Sequence, residues 1–334
     1  SMKPLATLLK FNTGKKPPKT ILKDSGTTKK MINMKENNIN KVPKVSIGMP
    51  VYNGDATIEK TIKTILNQNF NDYELIISDD FSSDSTQEIC QRYADIDSRI
   101  KYFRQGKNFG MPVKNFQYVL SKAKGEFFMF ASHDDPYHPE FISEMLKVME
   151  FDKNCSLCFC SYSISDENSS KEIKISPSSS CSSSSVSRYI SRLIDMQPAL
   201  IYGMFRKKFF HSEHLKLFDF FEVNAGIEMS LKGNVRVVNK ELWKWKIDSS
   251  RTSYSIYPFF AYVADIFGFR YRSSSKIQRV NYLPFYLSQI KLIYSNFSLM
   301  KSTIIFLILS YYILKKIVLV LFKPRSSDIN FDKA

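Results

Sequence analysis

Two adjacent carboxylates, Asp134 and Asp135, are the side chains in this sequence that most clearly predict chemistry. They follow the apolar run Phe127–Phe130, which comes directly after Gly125-Glu126 and is typical of a buried strand in a parallel sheet. Ligands of open α/β sheets bind beyond the carboxyl ends of such strands. Two carboxylates placed there repel each other unless a cation or a proton lies between them. We therefore expect Mg²⁺ or Mn²⁺ with a diphosphate at this point; the alternative is that Asp134 only caps the next helix.

The segments before these carboxylates alternate between strand and helix patterns. A β-α-β-α-β-α-β order predicts a parallel sheet with right-handed crossovers, and hence an α/β fold. The predicted strands are Val45–Asn53, Tyr73–Ser78, Ile100–Phe103 and the run that ends at the carboxylates. The predicted helices are Ala56–Gln68, a helix capped by Asp84 that reaches Tyr93, and Met111–Lys122.

The second half of the chain is harder to interpret. We predict helices at Glu140–Phe151 and Asn224–Lys232, with Gly233 ending the latter. Serine dominates residues 161–187, which predicts a loop or a disordered insert. The predicted strands are Ser156–Ser163, Leu200–Arg206, Val235–Val238 and Leu242–Lys246.

Positive charge is concentrated at the two ends of the chain. The net charge is +16; residues 1–44 hold eleven Lys and two acids (11 − 2 = +9), and residues 270–327 hold ten Lys or Arg and no acid. A basic groove for nucleic acid would instead line one face with stacking aromatic residues. The charge at the ends therefore favours an anionic membrane surface and gives no support to a nucleic-acid partner.

The C-terminal region mixes aromatic, basic and apolar residues. Apolar stretches at Thr303–Leu314 and Ile317–Phe322 are separated by Lys315-Lys316. A transmembrane helix needs about 20 unbroken apolar residues, and a lysine in mid-bilayer costs about 2.5–3.5 kcal/mol. We expect interfacial or re-entrant helices instead, with a packed helical subdomain or a single tilted span as alternatives.

The cysteines and the N-terminus bear on the compartment. Five cysteines, three of them in the cluster Cys155, Cys158 and Cys160, do not form a disulfide pattern, and no second Cys/His pair completes a zinc site. The N-terminus lacks the apolar core of a signal peptide. We expect a cytoplasmic protein at the inner face of the membrane.

Several short motifs occur in a fixed order between Val45 and Asp135. They are Pro50-Val51-Tyr52-Asn53, Leu75 to Thr86, Asn108-Phe109-Gly110 with Asn115, Gly125-Glu126 and Asp134-Asp135. In this order and spacing the stretch of about ninety residues resembles the catalytic domain of the family 2 glycosyltransferases, inverting enzymes with the GT-A fold that use nucleotide sugars. A fainter likeness continues through Tyr202–Arg206 and from Leu231 to Trp245. No Gly-x-Gly-x-x-Gly follows the first strand, which excludes a Rossmann dehydrogenase.

The resemblance implies which residues hold the donor. Pro50, Tyr52, Asp79 and Asp80 would contact the nucleoside, with Asn108 in the neighbouring motif. The metal motif of the family is usually Asp-x-Asp-Asp, and this chain has Ser132 in the first place. That leaves Asp134 as the implied metal ligand, Asp135 as its support, and a metal held in part by the diphosphate.

The resemblance also implies a catalytic base about eleven residues before the glycine that precedes a late strand. Counting back from Gly233 gives Glu222, and Asp219 and Glu228 are alternatives. Arg251 stands in the region where the family contacts the diphosphate. His133 either lines the sugar pocket or packs against its neighbours.

Together these inferences predict three regions and one leading function. The regions are a basic, disordered segment at 1–44, a GT-A domain at 45–250, and a helical membrane-binding region at 251–334. The function implied is metal-dependent transfer of a sugar from a nucleotide sugar, with UDP-sugars favoured, to a glycan or lipid-linked acceptor. The alternative, raised by Ser132, is a non-catalytic relative that binds nucleotide or glycan at the membrane.

Overall fold

A computed structural model describes residues 42–166, 172–217, 221–247, 283–307 and 310–311, all of which except Val42 belong to one compact unit, Pro43–Ala334. Its strands are β1 (Val45–Val51), β2 (Tyr73–Asp79), β3 (Ile100–Arg104), β4 (Phe127–Phe130), β5 (Cys155–Asp166), β6 (Glu172–Ile175), β7 (Met204–Arg206) and β8 (Asn234–Ile247). Its helices are α1 (Ile58–Leu66), α2 (Thr86–Ile96), α3 (Pro112–Lys122), α4 (Phe141–Phe151), α5 (Ser185–Ile194), α6 (Phe221–Lys232) and α7 (Leu283–Asn296).

These strands form one sheet in the order β3-β2-β1-β4-β7-β5-β6, with β8 paired to β5. The first four strands of that order are parallel, β7 is antiparallel to both β4 and β5, and β8 is parallel to β5. This confirms the predicted α/β class with a mostly parallel sheet and flanking helices. The parallel half arises because each short apolar strand is followed by an amphipathic helix that returns the chain across the sheet.

The core lies on both sides of the parallel strands. β1, β2 and β4 are almost wholly buried, as their near-continuous apolar sequences require. The crossover helices α1, α2 and α3 contribute buried residues such as Ile62, Cys90 and Val119. The five cysteines are free thiols, and four of them are buried.

Three predictions for the second half need correction. Leu200–Arg206 is not one strand, because Pro198–Tyr202 forms a 3₁₀ turn and only β7 is extended. The two strands predicted between 235 and 246 are one strand, β8, whose pairing with β5 is interrupted by bulges. The serine-rich stretch 161–187 contains the end of β5, all of β6 and the start of α5. The prediction from serine composition did not include β6, because the residues of β6 form a strand by pairing with β5 as an edge hairpin.

The C-terminal helices pack on the globular body. Buried residues of α7, Phe285 and Ile293, join Ile305 in an apolar cluster with Tyr189 of α5 and Ile227 of α6. Residues 299–307 are helical after α7. Within the described residues, no helix has the length and apolar character needed to cross a membrane.

Candidate active site

The parallel strands bring the predicted polar residues to one edge of the sheet. β1 lies between β2 and β4, so the residues after these three strands are neighbours in space. Tyr52 follows β1, Asp79 and Asp80 end and follow β2, and Asp134 and Asp135 lie beyond β4. Ligands of parallel sheets bind at this edge because the loops that follow the strands converge there.

Both carboxylate oxygens of Asp79 accept hydrogen bonds from other groups of the protein. Its side chain is fully buried, and its Oδ1 accepts a hydrogen bond from the Ser82 N–H at 2.8 Å. Its Oδ2 accepts hydrogen bonds from the Tyr102 hydroxyl at 2.8 Å and from Arg104 Nη1 at 2.7 Å. A carboxylate with these three donors stabilises the turn after β2 and has little capacity left for a ligand.

Asp80 keeps an oxygen for a ligand. Its Oδ1 accepts a hydrogen bond from the Phe109 N–H at 2.8 Å, and Asn108 Nδ2 donates to its main-chain oxygen at 3.1 Å. Within the described part of the chain, no donor lies within hydrogen-bonding distance of Oδ2. Burial raises the pKa of Asp80, the Phe109 N–H lowers it, and the Asp79 carboxylate raises it further. The Asn-Phe-Gly motif therefore positions Asp80 and leaves its Oδ2 without a donor among the described residues.

The loop after β1 is hydrogen-bonded to the turn after β2 and leaves Tyr52 accessible. Asn53 has a positive φ of 50°, and its Oδ1 accepts a hydrogen bond from the Ser83 N–H at 2.9 Å. Tyr52 is 50% exposed, whereas Pro50 is half-buried at the end of β1. His133 packs below this loop, with Nδ1 3.3 Å from the Thr57 hydroxyl. A Cβ at Gly54 would lie 3.0 Å from the same Nδ1, so His133 packs on this loop, and a role in the sugar pocket stays a prediction.

Ser132, Asp134 and Asp135 form the acidic part of the site. Asp134 is exposed and accepts a short hydrogen bond from the Ser132 hydroxyl. Asp135 is 2% exposed, and its Oδ1 accepts a hydrogen bond from the Lys246 N–H at 2.9 Å. Burial, followed by the neighbouring Asp134 carboxylate, raises the pKa of Asp135 to about 8. The two adjacent carboxylates therefore differ in access, because Asp134 is exposed and Asp135 is buried.

Tyr202 connects this acidic pair to the first turn of α6. Burial raises the pKa of its phenol well above 10, and the carboxylates of Asp135, Glu222 and Asp134 raise it further. The antiparallel register that pairs Met204 with Met129 also places Tyr202 beside the carboxyl end of β4, just before Ser132. Helix α6 packs on the same 3₁₀ turn, since a Cβ at Gly226 would lie 3.5 Å from Leu200, and Glu222 is one helical turn before Gly226. Sequence patterns did not identify Tyr202, because its place depends on the 3₁₀ turn that ends with it.

Glu228, the alternative to Glu222 as the base, lies in a different part of α6, beside Asn224 and His214. It is 6% exposed, its Oε1 accepts a hydrogen bond from Asn224 Nδ2 at 2.7 Å, and Oε2 is 3.7 Å from His214 Nε2. Burial raises the pKa of Glu228 and lowers that of His214. Both residues line a cavity of about 270 Å³ between α6 and α7. Glu228 was predicted as a candidate base, but it packs in this separate cavity because six residues along a helix place it on a different face from Glu222.

The family follows from a comparison over the same elements. A family model described as Glycosyl transferase family 2 matches residues 46–230, which is more than half of the chain. The chain belongs to glycosyl transferase family 2. The resemblance expected from the motifs is thereby confirmed at the level of the family.

Two relatives of this family 2 member have names that state an activity or a pathway. GalNAc(5)-diNAcBac-PP-undecaprenol beta-1,3-glucosyltransferase of Campylobacter jejuni is 43% identical over 94 residues, which are 28% of this chain and 30% of that protein. The putative teichuronic acid biosynthesis glycosyltransferase TuaG of Bacillus subtilis is 34% identical over 122 residues, 36% of this chain and 48% of that protein. The chain therefore matches less than half of the length of either relative.

Solved structures give the same fold. The crystal structure of S. aureus TarS 1-349 in complex with UDP-GlcNAc has a TM-score of 0.54 and 17% identity, covering 75% of this chain and 65% of that one. TarS 1-349 in another crystal structure gives a TM-score of 0.51 at 18% identity, covering 61% and 60%. Identities this low show a shared fold alone.

Two further predicted residues of this family 2 member, Asp219 and Arg251, lie outside the described residues. Among the described residues, no group of three or more His, Cys, Asp or Glu side chains is arranged to hold a metal ion. The predicted site needs fewer protein ligands, since it relies on the diphosphate. Asp134, exposed beside the buried Asp135, fits that donor set.

Proposed function

We propose that this protein is an inverting glycosyltransferase that moves a sugar from a nucleotide sugar to an acceptor hydroxyl. The observation that carries the proposal is that the end of β4, which leads to Asp134 and Asp135, and helix α6, which carries Glu222, both lie against the 3₁₀ turn that ends at Tyr202. UDP-sugars are favoured because the fold is that of a protein solved with UDP-GlcNAc. A glycan or lipid-linked acceptor is favoured because the names of the two relatives describe an undecaprenol-linked glycan and teichuronic acid.

The nucleoside end of the donor is assigned to β1 and β2. Asp80 Oδ2 accepts an N–H of the base or a ribose hydroxyl, a role that needs an acceptor and suits a carboxylate. The exposed ring of Tyr52 and the half-buried Pro50 border the same edge. Asn108 acts through Asp80, whose main-chain oxygen it holds. Asp79 supports the turn and has no direct ligand in this proposal.

The diphosphate end is assigned to the acids after β4. Asp134 would hold a divalent cation with Asp135 as support, and the bound cation would neutralise the charge of the departing diphosphate. Lys246 lies beside Asp135 and lowers its pKa. Its positive charge adds to the attraction for the diphosphate at this end of the site.

Glu222 is assigned as the base. Its carboxylate takes the proton from the acceptor hydroxyl as that oxygen forms a bond to the anomeric carbon. The bond from the anomeric carbon to the diphosphate oxygen breaks on the opposite side, and the nucleoside diphosphate leaves. This in-line arrangement requires the base and the diphosphate site to flank the sugar. The end of β4 and helix α6 meet at the 3₁₀ turn that ends with Tyr202, which is consistent with that requirement.

The proposal is tested by measuring nucleotide release from UDP-, GDP- and TDP-sugars with Mn²⁺ or Mg²⁺. We expect metal-dependent release from a UDP-sugar, lost in Asp134→Ala and in Glu222→Gln and retained in the matched control Glu228→Gln. Nucleotide binding without release by the wild type, with and without candidate acceptors, would favour the non-catalytic alternative that Ser132 raises. Loss in Glu228→Gln with retention in Glu222→Gln would reverse the assignment of the base.

We further propose that the protein works at an anionic membrane surface, on its cytoplasmic side. The helical residues 299–307 bury Ser302 and Ile305 against the body. Leu299, Met300, Ile304 and Leu307 are each more than half exposed on the other side of this helix. An apolar face in a region with ten cations and no acid between 270 and 327 fits a bilayer with anionic lipids.

A further inference from the structure

Tyr202 is held rigidly in the middle of the proposed site. It ends the 3₁₀ turn Pro198–Tyr202, and the next residue, Gly203, is pressed against β5. A Cβ at Gly203 would lie 2.7 Å from the Cys158 carbonyl oxygen, so glycine is required there. The ring of Tyr202 packs 5.2 Å from the ring of Trp243, which is 1% exposed. Packing from behind therefore fixes the direction of the phenol.

The neighbours of the phenol belong to both ends of the proposed reaction. Tyr202 lies beside the end of β4, and Asp134 and Asp135, which follow that strand, mark the proposed diphosphate end. Glu222 is one helical turn before Gly226, which packs on the same 3₁₀ turn, and it marks the proposed acceptor end. Inversion places the incoming oxygen and the departing oxygen on opposite sides of the anomeric carbon. A sugar whose anomeric carbon lies between those ends must therefore pass beside Tyr202.

We propose that Tyr202 contacts the transferred sugar, with its phenol donating a hydrogen bond to one sugar hydroxyl and its half-buried ring bordering the sugar ring. This inference rests on the proposed transfer from a nucleotide sugar. A tyrosine has one donor and a broad aromatic face, which together suit a ring that carries both hydroxyl and C–H groups.

The phenol is a donor at physiological pH, because tyrosine loses its proton only near pH ~10. The Ser132 hydroxyl donates to Asp134, so the residue that stands where the family usually has a first acid is already paired with the exposed carboxylate.

A fixed donor gives the site a means of distinguishing epimeric sugars. Two hexoses that differ at one carbon present that hydroxyl in different directions, and a rigid phenol can reach only one of them. Sites that hydrogen-bond a substrate hydroxyl discriminate strongly, because the wrong substrate leaves the site's polar group unpaired. Tyr202 is therefore expected to determine which donor sugar is used.

The experiment compares Tyr202→Phe with the wild type on UDP-glucose, UDP-galactose and UDP-GlcNAc. The full-length protein is used, and UDP release and UDP affinity are both measured. We expect kcat/KM for the preferred donor to fall about tenfold, the size of one lost hydrogen bond. The preference over its epimer should fall by a similar factor, while the Kd for UDP stays unchanged.

Tyr162→Phe is the matched control. Tyr162 is 1% exposed, donates a hydrogen bond to Gln197 Oε1 at 3.0 Å and packs 5.5 Å from the same Trp243 ring. It should keep the donor preference of the wild type even if its stability falls. A Tyr202→Phe protein with unchanged preference would overturn the inference alone. A wild type that releases nucleotide from no UDP-, GDP- or TDP-sugar, in the presence of metal and candidate acceptors, would overturn the proposed function and this inference with it.

Discussion

At the end of β2, Asp79 and Asp80 are chemically identical side chains with different surroundings. Arg104 and Tyr102, which are more than twenty residues further along the chain, donate to Asp79. Asp80 receives only one donor on its carboxylate, the Phe109 N–H, within the described residues. The partners therefore divide the pair into an acid whose two oxygens are both engaged within the protein and an acid with one oxygen that no described donor engages.

Asparagine substitutions should separate the two roles. Asp79→Asn removes the charge that pairs with Arg104 and leaves buried donors without a full acceptor, so we expect a loss of about 3 kcal/mol in the free energy of unfolding. Asp80→Asn should change stability by less than about 1 kcal/mol and weaken UDP binding about tenfold. Urea unfolding and UDP titration of both variants provide the measurement. Equal effects on stability would contradict this division.

Glu228 should make the protein less stable as the pH rises. Its pKa is raised in the folded protein by burial, so the folded state binds more protons than the unfolded state, whose glutamates titrate near pH ~4.3. The resulting stabilisation is fully present below that pH and is lost as the pH rises through the folded pKa. Lys216, 3.8 Å away, opposes the shift without reversing it.

Unfolding free energies of wild type and Glu228→Gln between pH 4 and pH 8 test this expectation. The difference between the two proteins should move in favour of the variant as the pH increases, since the variant has no proton to lose. The neighbouring His214 has a lowered pKa and costs stability as the pH falls, and because it is present in both proteins most of this effect is common to both. A difference that does not vary with pH would show that Glu228 is not desolvated.

At the scale of elements, the junction between α6 and β8 depends on one glycine. A Cβ at Gly233 would lie 2.1 Å from the Asn154 carbonyl oxygen, which accepts a hydrogen bond from the Asn234 N–H at 2.8 Å. This close approach of two backbones aligns β8 with β5 and also fixes the end of α6. The helix that carries Glu222 is therefore anchored at two places. Gly233 anchors its C-terminal end, and the hydrogen bond from Gln289 to Asn224 anchors it further towards its start.

Gly233→Ala should cost about 2–3 kcal/mol, because the backbone must shift to admit a methyl group. The matched control is Gly106→Ala, where an added Cβ meets no atom within 4 Å. That variant should be neutral or up to about 1 kcal/mol more stable, since alanine restricts the unfolded chain. Chemical unfolding of both proteins decides the matter, and equal stabilities would argue against a close junction.

The elements that could be predicted from sequence are those whose signal is local. β1, β2 and β4 are continuous apolar runs bounded by turns, and α1 to α3 have clear apolar faces, so their order and class follow from the pattern. β6 and the 3₁₀ turn before β7 exist because of pairing and packing with distant segments, and composition alone does not reveal them. The same holds for the site: Asp134 follows from its strand, whereas the roles of Asp79, Tyr202 and Glu228 depend on partners far along the chain.

For the molecule as a whole, the C-terminal helices are joined to the catalytic domain by a buried chain of polar groups. The Tyr189 hydroxyl donates to Gln289 Oε1 at 3.1 Å, and Gln289 Nε2 donates to Asn224 Oδ1 at 2.8 Å. Asn224 Nδ2 in turn donates to Glu228. Buried amides paired in this way specify one docking position for α7, because any other would leave them without partners. The outer face of the following helix is therefore presented in a fixed direction relative to the site.

That fixed face leads to a prediction about membrane binding. Wild-type protein should bind vesicles of phosphatidylcholine and phosphatidylglycerol, and more weakly at high salt, because insertion of apolar side chains and attraction of lysines to anionic lipid act together. Replacing Leu299 and Leu307 with Glu removes two side chains worth about 1.5–3 kcal/mol each on full burial. Binding should then fall by at least about tenfold.

Phe151→Glu is the control, since Phe151 is 92% exposed on α4 and lies in a different part of the body. It should bind vesicles as the wild type does, so a loss in both variants would point to a general effect of charge. A wild type that ignores vesicles but dimerises, with the dimer lost on changing Leu299 and Leu307, would assign the face to a second copy of the chain. If vesicle binding is confirmed, the rigid link through Gln289 means that the membrane sets the height of the active site above the bilayer. An acceptor anchored in lipid would then meet Glu222 only when its sugar hydroxyl lies at that height.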